Sequence, residues 1–285
     1  MIQIPLATGT ITTNLPAFIM AIVNCTPDSF YDKSRGGSEQ ALKFISEGAD
    51  IIDIGGESSR PGAAYVSAAE EIKRVVPVIK AIRNVSSVPL SIDTRKKEVM
   101  EAAFDAGADI VNDISALEDD AALGTFAALH KLPVILMHKR GNPAIMQNNT
   151  AYADVFAEVD AYLAKRASFA ESIGIPAEKI IIDPGIGFGK SLDANRTLIS
   201  RCGELCGSRY KVLMALSRKS CIGEMTGKPV EDRLFGTIAA NMIAVERGAR
   251  IVRVHDVAPC RDMLKVLGSL SDGVNKKRGG SDEHI

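Results

Sequence analysis

The chain contains eight short apolar runs, and each one ends on a polar residue before the sequence breaks into a loop. Continuous apolar runs of this length are typical of strands buried on both faces of a parallel sheet. The runs cover 18–24, 50–53, 88–93, 109–113, 133–138, 179–183, 211–217 and 250–255. They end at Asn24, Asp53, Asp93, Asn112 with Asp113, His138, Asp183, Ser217 and His255.

Amphipathic segments separate the apolar runs, as the right-handed crossovers between parallel strands require. Helices are predicted over 38–47, 67–83, 96–106, 119–130, 152–173, 191–206, 231–247 and 257–270. Eight such units predict an α/β fold of the (β/α)₈ TIM-barrel type, whose active site forms where the strands end. An open doubly wound sheet is the alternative, but no Gly-x-Gly-x-x-Gly fingerprint follows the first run.

A weak internal repeat supports the barrel. The segments 48–53, 107–112 and 248–253 each begin with Gly-Ala and continue into an apolar run. In each of them we expect the glycine to end a helix in the left-handed conformation, with a strand following at once.

The length of 285 residues suits a single barrel, which typically takes roughly 250 residues. Residues 1–17 include an alternating segment that predicts an N-terminal β-hairpin closing the bottom of the barrel. The barrel itself is expected over 18–270. Residues 271–285 form a polar tail that is expected to fray.

The charge and composition exclude some classes of function. A net charge of −1 provides no basic field for nucleic acid. No apolar run approaches the roughly 20 residues of a membrane helix, and the N-terminus lacks the basic start of a signal peptide. The five cysteines are scattered and form no disulfide framework. We therefore expect a cytoplasmic protein that binds neither nucleic acid nor membrane.

Polar residues at the strand ends can recognise a heterocycle. Asp93, Asn112 and Asp183 end three separate runs, and a carboxylate can pair with an amidine-like N–C–NH₂ edge through two parallel hydrogen bonds. The alternative is that each aspartate caps the next helix, and Asp93 suits that role. Three such residues on separate strands favour a binding site.

Other strand ends favour an anion. Arg253 and His255 alternate along one face of the last run, which suits a phosphate or pyrophosphate. The segment 217–220 opens a helix with Arg and Lys at its start, where anions bind and Ser220 can donate to a carboxylate. Asn24 can contact phosphate or offer its carbonyl to magnesium, although an Asx turn explains it equally well.

Two glycine-rich loops follow the second and sixth runs. The loop 55–62 suits the close approach of an anionic substrate, the alternative being an ordinary mobile surface loop. The loop 183–191 fails the P-loop pattern by one position, because Pro184 stands where the first glycine is needed. It is predicted to bring Phe188 against a flat ring, with Lys190 at the surface or at a helix start. His138 stays open between a structural and a functional role.

Five segments together resemble the signatures of the dihydropteroate synthase family, over about residues 18 to 267. They are 24–30, 55–62, 183–190, 217–220 and 253–256. The resemblance implies a TIM-barrel transferase, commonly a homodimer, that needs magnesium (Mg²⁺) and is a sulfonamide target. The family makes 7,8-dihydropteroate and pyrophosphate from 6-hydroxymethyl-7,8-dihydropterin pyrophosphate and p-aminobenzoate, a step in folate biosynthesis.

The resemblance also implies roles by position. Pterin binding is implied for Asp93, Asn112, Met137, Asp183 and Lys219. Pyrophosphate binding is implied for Asn24, Ser59, Arg60, Arg253 and His255, with Asn24 also on the metal. Contact with p-aminobenzoate is implied for Phe30, Ser59, Pro61, Phe188, Arg218, Lys219 and Ser220. The catalytic set is Lys219, Asp93, Arg253 and His255, and we hypothesise a dissociative displacement without a covalent enzyme intermediate.

The chain departs from the family pattern in its loops. Ser59 stands where Thr is frequent, Lys139-Arg140 follows His138 where a Gln is common, and 31–35 makes the first loop longer and more basic. Two rival functions remain: a methyltransferase that passes a methyl group from methyltetrahydrofolate to a corrinoid protein, and a non-catalytic pterin-binding paralogue. The anion motifs at 217–220 and 253–255 argue against the methyltransferase.

Overall fold

A parallel, closed barrel forms the body of the protein. The computed structural model describes residues 1–25, 35–58, 63–141 and 150–278. Within them eight strands pair in parallel in chain order, and the last strand pairs with the first. The strands are β3 (Phe18–Asn24), β4 (Ile51–Gly55), β5 (Leu90–Asp93), β6 (Ile110–Asp113), β7 (Val134–Met137), β8 (Ile180–Asp183), β9 (Lys211–Met214) and β10 (Ile251–Val254). The predicted TIM barrel is confirmed.

Helices connect consecutive strands on the outside of the barrel. They are α1 (Arg35–Glu47), α2 (Ala68–Arg83), α3 (Lys97–Asp105), α4 (Ala121–Leu129), α5 (Val155–Ser172), α6 (Leu192–Ser200), α7 (Ser220–Thr226), α8 (Leu234–Glu246) and α9 (Val257–Arg278). In the part of the chain that the structure describes, no helix is long and apolar enough to cross a membrane.

The two largest differences from the predicted helix boundaries lie at C-terminal ends. The helix expected over 191–206 ends at Ser200, because the backbone leaves α-helical geometry at Arg201. A short 3₁₀ segment, Cys202–Ser208, follows, and its backbone turns left-handed at Cys206. The last helix continues to Arg278, past Leu270, where the barrel was expected to end. Between Leu270 and Arg278 the sequence contains one glycine, which a helix tolerates, and no proline. Residues 279–285 lie outside the described residues.

Alternate residues of each strand divide between two environments. In β3, Ile19, Ala21 and Val23 pack outward among the helices, whereas Phe18 and Met20 point into the barrel. The same alternation in the other strands fills the lower barrel with an apolar cluster. Its buried members are Ile4, Phe18, Met20, Ile51, Ile110, Ile135, Ile181, Leu213, Ala215 and Ile251. Above this apolar cluster, towards the C-terminal ends of the strands, the interior becomes polar.

The predicted N-terminal hairpin is present. Strands β1 (Ile2–Pro5) and β2 (Thr10–Thr13) pair antiparallel as a separate sheet. Ile4 is fully buried in the lower interior cluster, so the hairpin covers the N-terminal end of the barrel. The Lys179 ammonium donates a hydrogen bond of 2.8 Å to the Leu6 carbonyl and attaches the hairpin turn to the segment before β8.

The glycines of the internal repeat adopt the expected conformation. Gly48, Gly107 and Gly248 have φ values of +92°, +110° and +114°, a region that favours glycine. Each stands shortly after a helix and shortly before a strand, so the repeat marks the same turn at three places in the barrel.

Replacing Ile4 tests whether the hairpin belongs to the cooperative fold. Ile4→Ala removes a fully buried side chain, and we expect it to lower the free energy of unfolding by about 2 to 5 kcal/mol. Thr12→Ala, at an exposed position of the same hairpin, is the control and should have little effect. The measurement is equilibrium denaturation by urea. Identical midpoints for Ile4→Ala and Thr12→Ala would show that the hairpin contributes nothing to stability.

Candidate active site

The polar strand ends meet at the C-terminal end of the barrel. Strand register places Asp93 beside Asn112 and places Met137 beside Asp183. Asn24 lies beside Gly55, where a Cβ would come 3.4 Å from the Cβ of Asp93. Because the strands are parallel and all end here, the residues that the sequence marked on separate runs converge on one site.

A guanidinium shared by two carboxylates occupies the interior. Arg253 donates from Nε to Asp53 at 2.6 Å and from Nη2 to Asp93 at 2.9 Å. The same Asp53 oxygen accepts from the amide nitrogen of Asn112 at 3.0 Å. These bonds tie together four strands, β4, β5, β6 and β10, and they give each side chain one orientation.

Asp53 is a site residue to which sequence reasoning assigned no role. Its Oδ2 atom carries both hydrogen bonds, while its buried Oδ1 atom has no hydrogen-bond partner among the described residues. One signal was available: strand alternation places Asp53 on the inward face of β4, between Ile51 and Gly55. A carboxylate that points into a barrel requires a cation, and Arg253 is the inward-facing cation of β10.

Asp113 has a structural role. Its carboxylate accepts from the backbone N–H and the hydroxyl of Ser115, at 2.7 and 2.6 Å, and from the Leu117 N–H at 2.7 Å. These bonds form the turn that follows β6, and they engage both carboxylate oxygens away from the site.

Asp93 does not cap a helix. The residue that precedes α3 is Lys96, so the capping alternative for Asp93 is wrong. Burial raises the pKa of the Asp93 carboxyl to about 7; Arg253 opposes this shift, whereas Asp53, Glu71 and Asp113 add to it. For the Arg253 guanidinium, Asp53 and Asp93 outweigh burial and raise the pKa above its ordinary value.

Lys219 stands on the opposite side of the site beside an aromatic ring. Its ammonium donates to the Ile186 carbonyl at 2.5 Å and lies 4.4 Å from the centroid of the Phe188 ring. Burial lowers the pKa of Lys219 to about 8, an effect that nearby Asp183 opposes. Burial also raises the pKa of the Asp183 carboxyl. Phe188 packs with Met137 and Ile114, so the predicted flat-ring contact has a rigid apolar support.

The loop after β8 is held in one conformation. Gly185 has φ +66°, and a Cβ there would lie 1.9 Å from the His138 carbonyl oxygen, so only glycine fits. Lys190 stands at the start of α6, directly before the N-cap residue Ser191, as one of the two predicted positions had it, but a surface position is wrong because Lys190 is 4% exposed. Its ammonium is hydrogen-bonded to His138 and to loop carbonyls, which compensate for part of the cost of its burial.

The anion-site residues have defined partners. The His255 ring Nδ1 lies 3.0 Å from the Ser217 hydroxyl, which also accepts from the His255 backbone N–H at 3.2 Å. Arg218 donates two hydrogen bonds to Asp256, of 3.0 and 2.8 Å, so Asp256 holds its guanidinium in place. Ser220 is the exposed first residue of α7.

Four of the predicted site residues lie outside the described residues: Phe30, Ser59, Arg60 and Pro61. Glu57 anchors the chain on both sides of 59–62. Before this segment, the Glu57 carboxylate accepts from Lys96 at 2.6 Å and from Arg95 at 3.0 Å. After it, the Val66 N–H donates to the same carboxylate at 3.3 Å. Sequence reasoning did not single out Glu57, since its partners come from the next loop of the barrel.

Comparison with known proteins agrees with the fold. A family model described as pterin binding enzyme matches residues 20–255. The match extends from β3 to the residue after β10 and includes every polar strand end described above. The barrel and its site therefore define a pterin-binding enzyme.

Individual relatives narrow this assignment. A dihydropteroate synthase of Haemophilus influenzae is 49% identical over 253 residues, which cover 87% of this chain and 92% of the relative. The structure of the Xanthomonas albilineans dihydropteroate synthase with 4-aminobenzoic acid matches with a TM-score of 0.88 at 42% identity, covering 94% of this chain and 98% of that one. The Yersinia pestis enzyme with a sulfonamide drug matches with a TM-score of 0.90 at 36% identity, covering 95% and 100%. The chain belongs to the dihydropteroate synthase family of transferases.

Removing the charge of Asp53 tests the interior charge cluster. In Asp53→Asn the like charge beside Asp93 disappears and Arg253 is left to pair with Asp93, so both effects should lower the pKa of the Asp93 carboxyl below about 7. Carbon-detected NMR titration of the aspartate carboxyls measures it. Ser91→Ala, which changes the strand neighbour of Asp53 without a charge, is the control. A raised or unchanged Asp93 pKa in Asp53→Asn would contradict the assigned geometry.

Proposed function

We propose that the chain is a transferase that condenses 6-hydroxymethyl-7,8-dihydropterin pyrophosphate with p-aminobenzoate, giving 7,8-dihydropteroate and pyrophosphate. The observation that carries the proposal is the convergence of Asp93, Asn112 and Asp183 with Arg253 and Lys219 at one end of the barrel. Acidic and amide groups suited to a pterin thus lie beside cations suited to a pyrophosphate. The names of the relatives support the same activity.

Pterin recognition would rest on Asp183 and Asn112. A carboxylate such as that of Asp183 can accept two parallel hydrogen bonds from the N–C–NH₂ edge of a pterin. The side-chain amide nitrogen of Asn112 donates to Asp53. The side-chain carbonyl oxygen of Asn112 is left to accept from an N–H group of the pterin ring. Met137 lies in the neighbouring apolar cluster, where it can contact the face of the ring.

Pyrophosphate would be held by Arg253, His255 and Asn24. Arg253 keeps its Nε on Asp53 and can neutralise charge that grows on the departing oxygen. The Ser217 hydroxyl orients the His255 ring. Arg253 is an inward-facing residue of β10, and His255 directly follows that strand. Alternation puts the two side chains on the same face, one layer apart.

Magnesium fits this set of donors. The described residues contain no cluster of three acidic, histidine or cysteine side chains that could enclose a metal. Mg²⁺ is commonly held by one or two protein oxygens together with substrate phosphates and water, so the half-buried Asn24 carbonyl oxygen is a suitable ligand. When bound, magnesium would neutralise part of the pyrophosphate charge.

p-Aminobenzoate would bind against Phe188, with Lys219 and Ser220 near its carboxylate. The Phe188 ring rests on Met137 and offers a flat apolar face. Arg218 is engaged by Asp256, so we assign to it the orientation of the segment 217–220 more than direct binding. Sulfonamide drugs, one of which is bound in the Yersinia pestis relative, would compete at this position.

The reaction follows as a dissociative displacement. The bond between the pterin methylene carbon and the pyrophosphate oxygen breaks, and its electron pair leaves with pyrophosphate. The cation left behind is delocalised into the pterin and stabilised by the Asp93 carboxylate. The amine of p-aminobenzoate then supplies the electron pair of the new C–N bond and gives up one proton. The protein contributes orientation and charge rather than a covalent intermediate.

A homodimer is proposed from the family resemblance, and a cytoplasmic location is proposed from the composition of the chain. The α7–α8 side of the barrel exposes apolar side chains that a second copy could cover. They are Met225, Val230, Phe235, Met242 and Ile243.

Direct assay tests the activity. Pterin pyrophosphate, p-aminobenzoate and Mg²⁺ should yield dihydropteroate and pyrophosphate in equal amounts, and removing the metal with a chelator should stop turnover. Lys219→Met keeps the length of the side chain and should lower kcat/KM by at least about a hundredfold, because the ammonium that faces both substrates is lost. Lys211→Met, at the opposite end of the barrel, is the control. A wild-type protein that forms no product at saturating substrate would refute the function.

The pH dependence of kcat/KM should be bell-shaped. Asp93 must be a carboxylate, so activity should fall as the pH drops through about 7; Lys219 must be an ammonium, so activity should fall as the pH rises through about 8. Steady-state rates measured in constant-ionic-strength buffers between about pH 5 and about pH 10 would show both limbs. A flat profile over that range would contradict the assignment of these charge states.

A further inference from the structure

The loop 184–189 carries two groups that contact Lys219, namely the Ile186 carbonyl and the Phe188 ring. We propose that Lys190 and His138 form a buried pair that sets the conformation of this loop, so that both are positioning residues for Lys219 and for the p-aminobenzoate position. The inference rests on the proposed function in one respect only, that Lys219 and Phe188 contact substrate.

The geometry of the Lys190 ammonium connects the loop to β7. An ammonium has three N–H donors, and Nζ of Lys190 lies 2.9 Å from His138 Nδ1, 2.9 Å from the Gly185 carbonyl and 3.1 Å from the Phe188 carbonyl. The His138 carbonyl is a fourth, longer contact at 3.4 Å. The carbonyls of Gly185 and Phe188 belong to the loop, whereas His138 directly follows β7. One ammonium therefore bonds to both segments.

The loop needs such a connection because its backbone is intrinsically free. Gly185, Gly187 and Gly189 all have positive φ, with values of +66°, +83° and +66°, and glycine loses more conformational entropy on ordering than other residues. Loop N–H groups bond to Asp183 and Asn195, and the Gly189 carbonyl accepts from Tyr152. The carbonyls on either side of Ile186 and Gly187, those of Gly185 and Phe188, accept from Lys190.

The charge state of the pair follows from its surroundings. Burial, together with Lys190 and Arg140, lowers the pKa of His138 to about 3, so the neutral ring can accept at Nδ1. Burial lowers the pKa of Lys190 to about 7; Asp183 opposes this shift, and Lys219 and Arg140 add to it. The rings of Tyr152 and Tyr162 also face His138, at centroid distances of 6.4 and 5.0 Å. The three short contacts of the Lys190 ammonium are to neutral acceptors, two backbone carbonyls and an imidazole, so they offset only part of the cost of burying its charge.

Displacement of the loop would act unequally on the two substrates. Phe188 contacts only the p-aminobenzoate position in the proposed function. Lys219 faces both substrates, but the pterin is also held by Asp183, Asn112 and Asp93 at the strand ends, which do not depend on the loop 184–189 for their position. Loss of the Lys190–His138 pair should therefore weaken p-aminobenzoate binding more than pterin binding. A purely structural role would instead lower stability and leave both KM values alone.

Four variants separate these possibilities. Lys190→Met keeps the length of the side chain and removes its donors. His138→Leu removes the acceptor, whereas His138→Asn keeps an acceptor close to the position of Nδ1. Lys179→Met is the matched control, because Lys179 is also buried and also donates to backbone carbonyls, those of Leu6 and Lys131, but at the opposite end of the barrel.

Steady-state kinetics should show a split between the substrates. We expect Lys190→Met and His138→Leu to raise the KM for p-aminobenzoate about tenfold and to change the KM for pterin pyrophosphate by less than about threefold. His138→Asn should stay within about threefold of wild type, and Lys179→Met should lower the unfolding temperature without changing either KM. Equal effects on both KM values, or an unaltered p-aminobenzoate KM, would overturn the proposal.

Amide hydrogen exchange gives a readout that does not depend on activity. Peptides covering 184–190 should exchange about tenfold faster in Lys190→Met and His138→Leu than in wild type or Lys179→Met. Unchanged exchange in both variants would show that the pair does not set the loop. If Lys190→Met does not fold, the two His138 variants decide. If the wild-type protein forms no dihydropteroate, the proposed function fails, while exchange still judges the role of the pair.

Discussion

The pairing of β10 with β3 closes the sheet, and the rest of the molecule depends on that closure. Once the sheet is closed, every strand has one face towards the helices and one face towards the barrel interior. Apolar side chains fill the lower interior, where the hairpin covers them with Ile4. Polar side chains gather at the C-terminal ends of the strands, which is where substrates can reach them.

The interior polar residues are costly to bury, and their mutual hydrogen bonds compensate for much of that cost. Arg253 is neutralised by Asp53 and Asp93, and Asp53 in turn orients Asn112. Buried ion pairs add little net stability compared with apolar packing, so a cluster of this kind is better explained by what it presents to a ligand. On the other side of the site, Lys219 and Lys190 are both buried cations with lowered pKa values. Groups that titrate near neutrality at one end of a barrel are typical of an active site.

The sequence predicted the architecture well because its evidence is local. Apolar runs and amphipathic segments follow from strand and helix periodicity, and those periodicities do not depend on distant residues. The segment-ending glycines at 48, 107 and 248 were predictable for the same reason, since a positive φ is a property of one residue. The boundaries at Ser200 and Arg278 were missed because tertiary packing and backbone geometry decide where a helix ends.

The sequence predicted which polar residues end the strands, but not which of them contact one another. Polar residues at strand ends could be recognised individually, and the family resemblance supplied roles for most of them. Lys190 was misplaced at the surface because its acceptors, His138 and two loop carbonyls, come from segments that only the fold brings near. Asp53 was left without a role for a similar reason, since its partner Arg253 lies 200 positions away in the chain.

By itself, the sequence determined the eight-unit barrel, the end of it that carries the polar groups, and the family to which the chain is similar. The tertiary structure decided which of those groups face one another. It placed Arg253 between Asp53 and Asp93, and it joined Lys190 to His138 beneath the loop that contacts Lys219. The physical reason is that periodicity and turn chemistry act over a few residues, whereas a hydrogen bond or a shifted pKa depends on distances of a few ångströms between segments far apart in the chain.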